Sequence, residues 1–242
     1  MEEETMSYPG GKAGDGVFQT IINQIPPHDT LVIPFLGNCG ILRNILPSET
    51  TIAIELDSDV LSSFRDDRGQ PRPGLILYHG CGIQYLENYH FYGFDSQTVV
   101  YCDPPYLQKT RVKKRIYRYE MTEADHIRLL NAISRQADDG TKILISGYES
   151  TLYNRLLKGW RCIRFWAATR GKPRVECLWM SFDEPTELHD YRYLGDNKRE
   201  RERIGRKRRR TVRKMLDLPA LERASIMQEI LAAEAAAVDP KQ

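Results

Sequence analysis

Five short apolar runs dominate the sequence: Thr30 to Phe35, Thr51 to Glu55, Leu75 to Tyr78, Thr98 to Asp103 and Lys142 to Gly147. They are rich in Ile, Val and Leu and do not alternate with polar residues. A strand covered on both faces reads this way, whereas a strand with one wet face alternates. Between the last two runs, Thr122 to Gln136 places Ile127, Leu129, Leu130 and Ile133 near helical spacing, and Thr122 with Asp125 has the form of a capping box. Buried runs alternating with helical stretches predict an α/β fold, a mostly parallel twisted sheet with helices on both faces. Arg161 to Thr169 and Val175 to Phe182 are joined by Arg170-Gly171-Lys172-Pro173-Arg174, which predicts an antiparallel hairpin at the edge of that sheet.

The chain has 242 residues, enough for one domain of ordinary size with a short appendage. After Asp183 the apolar strands stop. Lys198 to Lys214 reads KRERERIGRKRRRTVRK, and Pro219 then precedes an Ala-rich stretch from Leu221 to Ala237. The expected division is a core domain over residues 1–182 and a basic helical appendage over 183–242. Cys39, Cys81, Cys102, Cys162 and Cys177 form an odd set without a C-x-x-C pair, so neither a disulfide framework nor a metal site is expected. The chain begins Met1-Glu2-Glu3-Glu4, acidic where a signal peptide is basic, and no stretch of 18 apolar residues occurs. The expectation is a soluble cytoplasmic protein with no membrane partner.

Three segments carry chemistry. Asp103-Pro104-Pro105-Tyr106 directly follows the run Thr98 to Cys102. Ligands of open α/β sheets sit outside the carboxyl ends of the strands, so the tetrapeptide lies where a substrate binds. Asp103 and the Pro104 carbonyl can accept the two hydrogens of an exocyclic amino group. The prolines stiffen the loop, and Tyr106 offers a flat face for a base. Pro34-Phe35-Leu36-Gly37-Asn38-Cys39-Gly40 also ends a strand, with two glycines suited to close ligand approach. Glu55 ends the next strand, where an acidic residue commonly takes the ribose hydroxyls of a nucleoside. Tyr8-Pro9-Gly10-Gly11-Lys12 lacks the full phosphate-loop pattern, which argues against a nucleotide triphosphatase.

In this order the three motifs resemble those of the Dam-like, alpha-class adenine-N6 DNA methyltransferases, over roughly residues 7 to 182. The resemblance implies a Rossmann-like methyltransferase fold and S-adenosylmethionine as cofactor. It implies Tyr8 and Lys12 near the amino-acid end of the cofactor, Phe35, Gly37 and Gly40 beneath it, and Glu55 on its ribose. Pro34, Asn38, Leu56, Cys81, Gly82 and Asp103 complete the implied cofactor surface. Asp103, Pro104, Pro105 and Tyr106 would hold a target adenine flipped out of the helix. Two departures stand out. Cys81 occupies the place of an Asp that bonds the cofactor's adenine ring, which predicts weaker cofactor binding because a thiol is a poor hydrogen-bonding group. The glycine loop also spaces its glycines as Gly37-Asn38-Cys39-Gly40 instead of Gly-x-Gly.

Only about twenty residues separate Gly82 from Asp103, too few for an inserted target-recognition domain. Nucleic-acid contacts are therefore expected from two basic segments. Leu107 to Arg118 carries Lys109, Arg111, Lys113, Lys114, Arg115 and Arg118 with no acid, and Tyr117 interleaves. Lys198 to Lys214 carries eleven basic residues, among them Lys207, Arg208, Arg209 and Arg210, against Glu200 and Glu202. The net charge of only +2 thus averages an acidic body with two basic segments and does not exclude a polyanionic partner. Arg170, Arg174 and Glu176, in or beside the hairpin, either contact nucleic acid or pair with each other. The leading expectation is methylation of adenine N6 in double- or single-stranded DNA. The alternatives are RNA adenine or cytosine N4 as acceptor, or a non-catalytic nucleic-acid-binding protein of the same fold.

Overall fold

The computed structural model describes residues 12, 14, 16–64, 72–89, 97–112, 115–167 and 173–238. Seven strands form one sheet: β1 (Thr30–Ile33), β2 (Thr50–Glu55), β3 (Leu75–His79), β4 (Thr98–Cys102), β5 (Lys142–Gly147), β6 (Arg161–Ala167) and β7 (Arg174–Met180). Their spatial order is β3-β2-β1-β4-β5-β7-β6. The first five are parallel, and β7 runs antiparallel to both β5 and β6. All five apolar runs become strands, and the expected hairpin closes the edge. This is the Rossmann-like methyltransferase sheet.

Alternation along the strands supplies two buried faces. Val32, Ile54, Val100, Cys102, Ile143, Ile145, Cys177 and Trp179 share one core cluster with residues of α4 (Gly82–Asn88), α5 (Glu123–Asp138) and α6 (Thr151–Leu156). The intervening residues Leu31, Ile33, Ala53, Val99, Tyr101, Leu144, Leu178 and Met180 are buried as well and point the other way. Helices α1 (Val17–Ile22) and α2 (Gly40–Asn44) pack together and supply Ile21, Ile22, Ile41 and Leu42 to the remaining core, and the short α3 (Ser58–Ser63) follows β2. Each fully buried Leu or Ile contributes about 1.5–3 kcal/mol of transfer free energy, so covering both faces is the main stabilising term. The start of α5 is fixed as its sequence predicts: Thr122 Oγ1 accepts from the Asp125 amide at 3.2 Å, and Asp125 Oδ2 accepts from the Thr122 amide at 2.9 Å.

The chain divides into two compact units, Met1–Tyr191 and Arg192–Gln242, so the boundary falls later than the expected 182/183. The segment after β7 stays with the sheet because its polar groups are engaged there. His189 donates its amide to the Ile25 carbonyl at 3.0 Å and stacks its ring on His28 at 4.0 Å, while Asp190 accepts from the Leu46 amide at 3.1 Å. The second unit contains α7 (Lys198–Leu216), capped by Asn197, and α8 (Ala220–Val238).

Two buried histidines couple the fold to pH. His28 sits between the Pro26 carbonyl and the Ser48 hydroxyl, both at 2.8 Å, and burial pushes its pKa down to about 4. His126 meets the Tyr153 hydroxyl at 3.0 Å, and burial lowers it likewise to about 4. Both rings are neutral in the folded chain and take up a proton near pH 6.5 in the unfolded one. Their contribution is therefore complete above about pH 6.5 and is lost as pH falls toward 4. Urea midpoints measured across pH 8 to 4 should hold steady down to about 6.5 and then fall. A flat midpoint between 6.5 and 4.5 would contradict this account.

Candidate active site

The order of the parallel strands reverses between β1 and β4, and the crevice at that switch point opens at their carboxyl ends. Four strand ends deliver side chains to it. Pro34, Phe35, Leu36, Gly37, Asn38 and Cys39 follow β1; Glu55 ends β2 and Leu56 follows it; Cys81, Gly82 and Ile83 follow β3; Asp103 and Pro105 follow β4. Tyr117, Tyr119, Glu120, Met121 and Asp125 form the remaining wall.

The loop after β1 is anchored by Glu55. Its Oε2 accepts from the Gly37 amide at 2.7 Å and its Oε1 from the Asp57 amide at 2.9 Å. Each oxygen keeps a second lone pair, so the carboxylate can still accept from the hydroxyls of a ribose. Gly37 has φ 45°, a left-handed conformation that a side chain disfavours. Gly82 meets the same loop from the other side: a Cβ there would stand 1.9 Å from the Pro34 carbonyl oxygen. Two backbones approach too closely for a side chain between them, which makes a narrow cradle. Cys39 caps α2, its sulfur accepting from the Leu42 amide at 3.4 Å, and burial pushes its thiol up to about 11, so it is no nucleophile here. Gly40 is the buried first residue of α2 and is not among the residues that line the cleft. Cys81 occupies the N-cap position of α4 without a side-chain cap hydrogen bond, and it lines the cleft.

Beside Asp103 lies a buried charged cluster. Lys12 Nζ is 2.9 Å from Asp103 Oδ1 and 3.3 Å from Glu176 Oε2, and stands 4.6 Å from the centre of the Tyr106 ring. The Tyr106 hydroxyl donates to Glu176 Oε2 at 2.8 Å, and Tyr148 meets the same ring edge-on at 4.8 Å. Burial pulls the Lys12 ammonium down, but Asp103 and Glu176 outweigh it and hold its pKa above the ordinary value. Burial raises the Asp103 carboxyl, with Lys12 opposing. Pro104 is buried between these groups in the chain. Lys12 thus lies at the Asp103 end and is not part of the cleft wall.

Glu176 is the functional candidate that sequence reasoning left undecided. It sits in β7, opposite Phe165 of β6 and one residue before Cys177, which pairs with Gly147 at the end of β5. An acid facing the core side of an otherwise apolar strand, VECLWM, was the signal available. Arg174, its neighbour in the hairpin, instead donates to the Thr110 carbonyl at 2.9 Å and covers the Tyr148 ring at 4.0 Å.

The basic segment after the tetrapeptide is less open than its composition suggests. The Arg111 side chain is only 4% exposed and is held in a two-pronged pair with Glu120, which corrects the expectation that it meets phosphates. Glu120 also accepts from the amides of Ile116 and Tyr117. Burial opposes its ionisation, but these donors bring its pKa to about 2. Lys109 pairs with Glu123, and Arg118 with Asp57 and Asp59; both cations remain exposed, as is Arg115. In α7, Lys207, Arg208, Arg209 and Arg210 are all exposed. Tyr8, Lys113, Lys114 and Arg170 lie outside the described residues. Among the described residues no group of three or more His, Cys, Asp and Glu side chains could hold a metal, and no helix is long and apolar enough to cross a membrane.

Residues 85–170 match the family model of the D12 class N6 adenine-specific DNA methyltransferases, in agreement with the Dam-like resemblance. No curated protein matches the sequence. Solved structures similar in shape include the precorrin 8W decarboxylase of Methanobacterium thermoautotrophicum, at 13% identity over 72% of this chain and 92% of that one, with a TM-score of 0.46. An rRNA methylase from Streptococcus thermophilus matches at 13% identity over 67% of this chain and 93% of its own, with a TM-score of 0.41. A SAM-dependent methyltransferase from Agrobacterium tumefaciens matches at 8% identity over 67% of this chain and 58% of its own, also with a TM-score of 0.41. The matched family uses S-adenosylmethionine, and the glycine-lined cradle with Glu55 fixed at its floor fits that cofactor.

Proposed function

We propose that the chain is a DNA adenine-N6 methyltransferase that takes its target base outside the helix. The observation that carries this reading is the placement of Asp103: the carboxylate directly follows β4, borders the cofactor cradle on one side and on the other pairs with Lys12, which stands over the Tyr106 ring. S-adenosylmethionine, when bound, supplies an electrophilic sulfonium methyl group.

The residues of the chain do the rest. The lone pair of an adenine amino group is delocalised into the ring and is a weak nucleophile. Asp103 accepts one of its hydrogens and the Pro104 carbonyl the other, which localises the pair on nitrogen and fixes its direction. Transfer leaves the nitrogen with a surplus proton, and the Asp103 carboxylate is the nearest base to receive it. Its raised pKa favours that step. Tyr106, tethered through its hydroxyl to Glu176, is the flat surface on which the ring rests. The stiff Pro104-Pro105 turn keeps acceptor and ring in register.

Exposed cations of α7, together with Lys109, Arg115 and Arg118, are the proposed phosphate-binding groups. Replacing Lys207, Arg208, Arg209 and Arg210 together by glutamine should weaken DNA binding. The log–log salt dependence should become shallower by roughly one unit for each phosphate that the variant no longer neutralises. Filter binding across a salt series reads both, and an unchanged slope would remove α7 from the interface. The function itself is tested by transfer of labelled methyl groups to duplex DNA, single-stranded DNA and RNA. Label in DNA is the expected result. Label in RNA alone would move the substrate class. No binding of the cofactor in calorimetry would mark a non-catalytic relative.

A further inference from the structure

The cluster at Asp103 holds one ammonium among two carboxylates and a phenol; Lys12, Glu176 and Tyr106 are buried and Asp103 is partly buried. Its geometry conflicts with the reaction in one respect. Asp103, the acceptor that a target amino group needs, already has its Oδ1 engaged by Lys12 at 2.9 Å. The same ammonium stands 4.6 Å from the centre of the Tyr106 ring, where the base would rest. Lys12 therefore engages the carboxylate that the exocyclic amine must meet and stands over the ring on which the base would rest. A buried ammonium cannot give up Asp103 without another anion, because an unpaired buried charge is strongly unfavourable. Glu176 Oε2, 3.3 Å away and held in place by the Tyr106 hydroxyl, is that anion.

We propose that Lys12 is a placeholder for the target amine and that Glu176 is the positioning residue onto which it withdraws when a base enters. The inference rests on the methyltransferase reading above and assigns a role in it to Glu176. While the pocket is empty, the ammonium keeps Asp103 and Tyr106 in their working arrangement. When the base arrives, Asp103 exchanges one N–H donor for another, and Lys12 keeps an ion pair throughout. The pocket then opens without stranding a charge.

Steady-state methyl transfer to DNA by the full-length protein tests this with Glu176→Gln, which keeps an acceptor for the Tyr106 hydroxyl but removes the charge. Lys12 would then have Asp103 as its sole anionic partner in the cluster and compete harder with the base. KM for DNA should rise roughly tenfold while kcat changes by less than about threefold. Cofactor affinity by calorimetry should stay within about twofold, which also reports a folded variant. Adding Lys12→Gln to Glu176→Gln removes the competitor and should bring KM back to within about threefold of the unaltered protein. A purely structural role of Glu176 would leave the KM rise in the double variant. A wild-type KM in Glu176→Gln, or a rise that persists in the double variant, overturns the inference.

Should Glu176→Gln fail to bind cofactor, Lys12→Gln alone decides. Asp103 then faces Glu176 without a cation, and the acid limb of the kcat profile should move to higher pH. The other titratable groups around Asp103 are Tyr101, Cys102, Tyr106, Tyr117, Tyr153 and Cys39. All have pKa values raised by burial and stay neutral over that range. An unmoved acid limb overturns the proposal. Absence of transfer by the unaltered protein would instead remove the methyltransferase reading and this inference with it.

Discussion

Asp103→Ala should lower methyl transfer by roughly 10³-fold or more while leaving cofactor affinity within about threefold. The two effects separate because Asp103 borders the cradle but does not build it. The cradle rests on Glu55, whose oxygens hold the Gly37 and Asp57 amides, and on the close approach of Gly82 to Pro34. Removing the Asp103 carboxylate takes away the acceptor that localises the amine lone pair and the base nearest the surplus proton. It also leaves Lys12 with Glu176, so the cluster keeps an ion pair and the variant should fold. Single-turnover transfer and calorimetry on the same preparation read both quantities. Turnover near that of the unaltered protein would sink the mechanism.

Gly82→Ala should damage the cradle itself. The added methyl would stand 1.9 Å from the Pro34 carbonyl oxygen and 2.8 Å from its carbon, both backbone atoms that cannot swing aside. Either the loop after β1 or the first turn of α4 must retreat. Gly82, Ile83 and Leu86 of α4 are buried, and Ile83 and Leu86 belong to the core cluster, so displacing the helix disturbs the sheet's cover as well. Overpacking of this kind costs roughly 2–3 kcal/mol, and cofactor affinity should fall more than about tenfold. Thermal unfolding with and without S-adenosylmethionine measures both. A variant that unfolds and binds cofactor as the unaltered protein does would show that the cradle is not the cofactor site.

Four of the five parallel strands were legible because each is covered on both faces and so writes an unbroken apolar run; the edge strand β3 writes a similar run although its Ile76, Leu77 and Tyr78 are exposed. Lys142 to Gly147 appears in the structure with the bounds its sequence suggests, and Thr122 caps α5 through the pattern that announces it. The cleft was legible for a related reason: motifs that directly follow buried strands must gather at one end of a parallel sheet. Glu176 was not, because its position depends on the antiparallel pairing of β7 with β5, a long-range register that no local pattern encodes. Arg111 misled for the opposite reason. Its segment is basic in composition, but Glu120, nine residues on, folds back to neutralise it, and a charge count within the segment does not include that partner. The later boundary, Tyr191 instead of 182, follows from the hydrogen bonds of His189 and Asp190, polar residues in a stretch that lacks strand pattern.

The central claim is that the Asp103 end of the cleft presents an adenine amino group for methyl transfer. Its most direct test incubates duplex DNA with S-adenosylmethionine and the unaltered protein, digests the DNA to nucleosides and separates them by chromatography with mass detection. The account predicts N6-methyl-2′-deoxyadenosine with the unaltered protein and none with Asp103→Ala. A methylated cytosine, or methyladenine formed equally by both proteins, would contradict it.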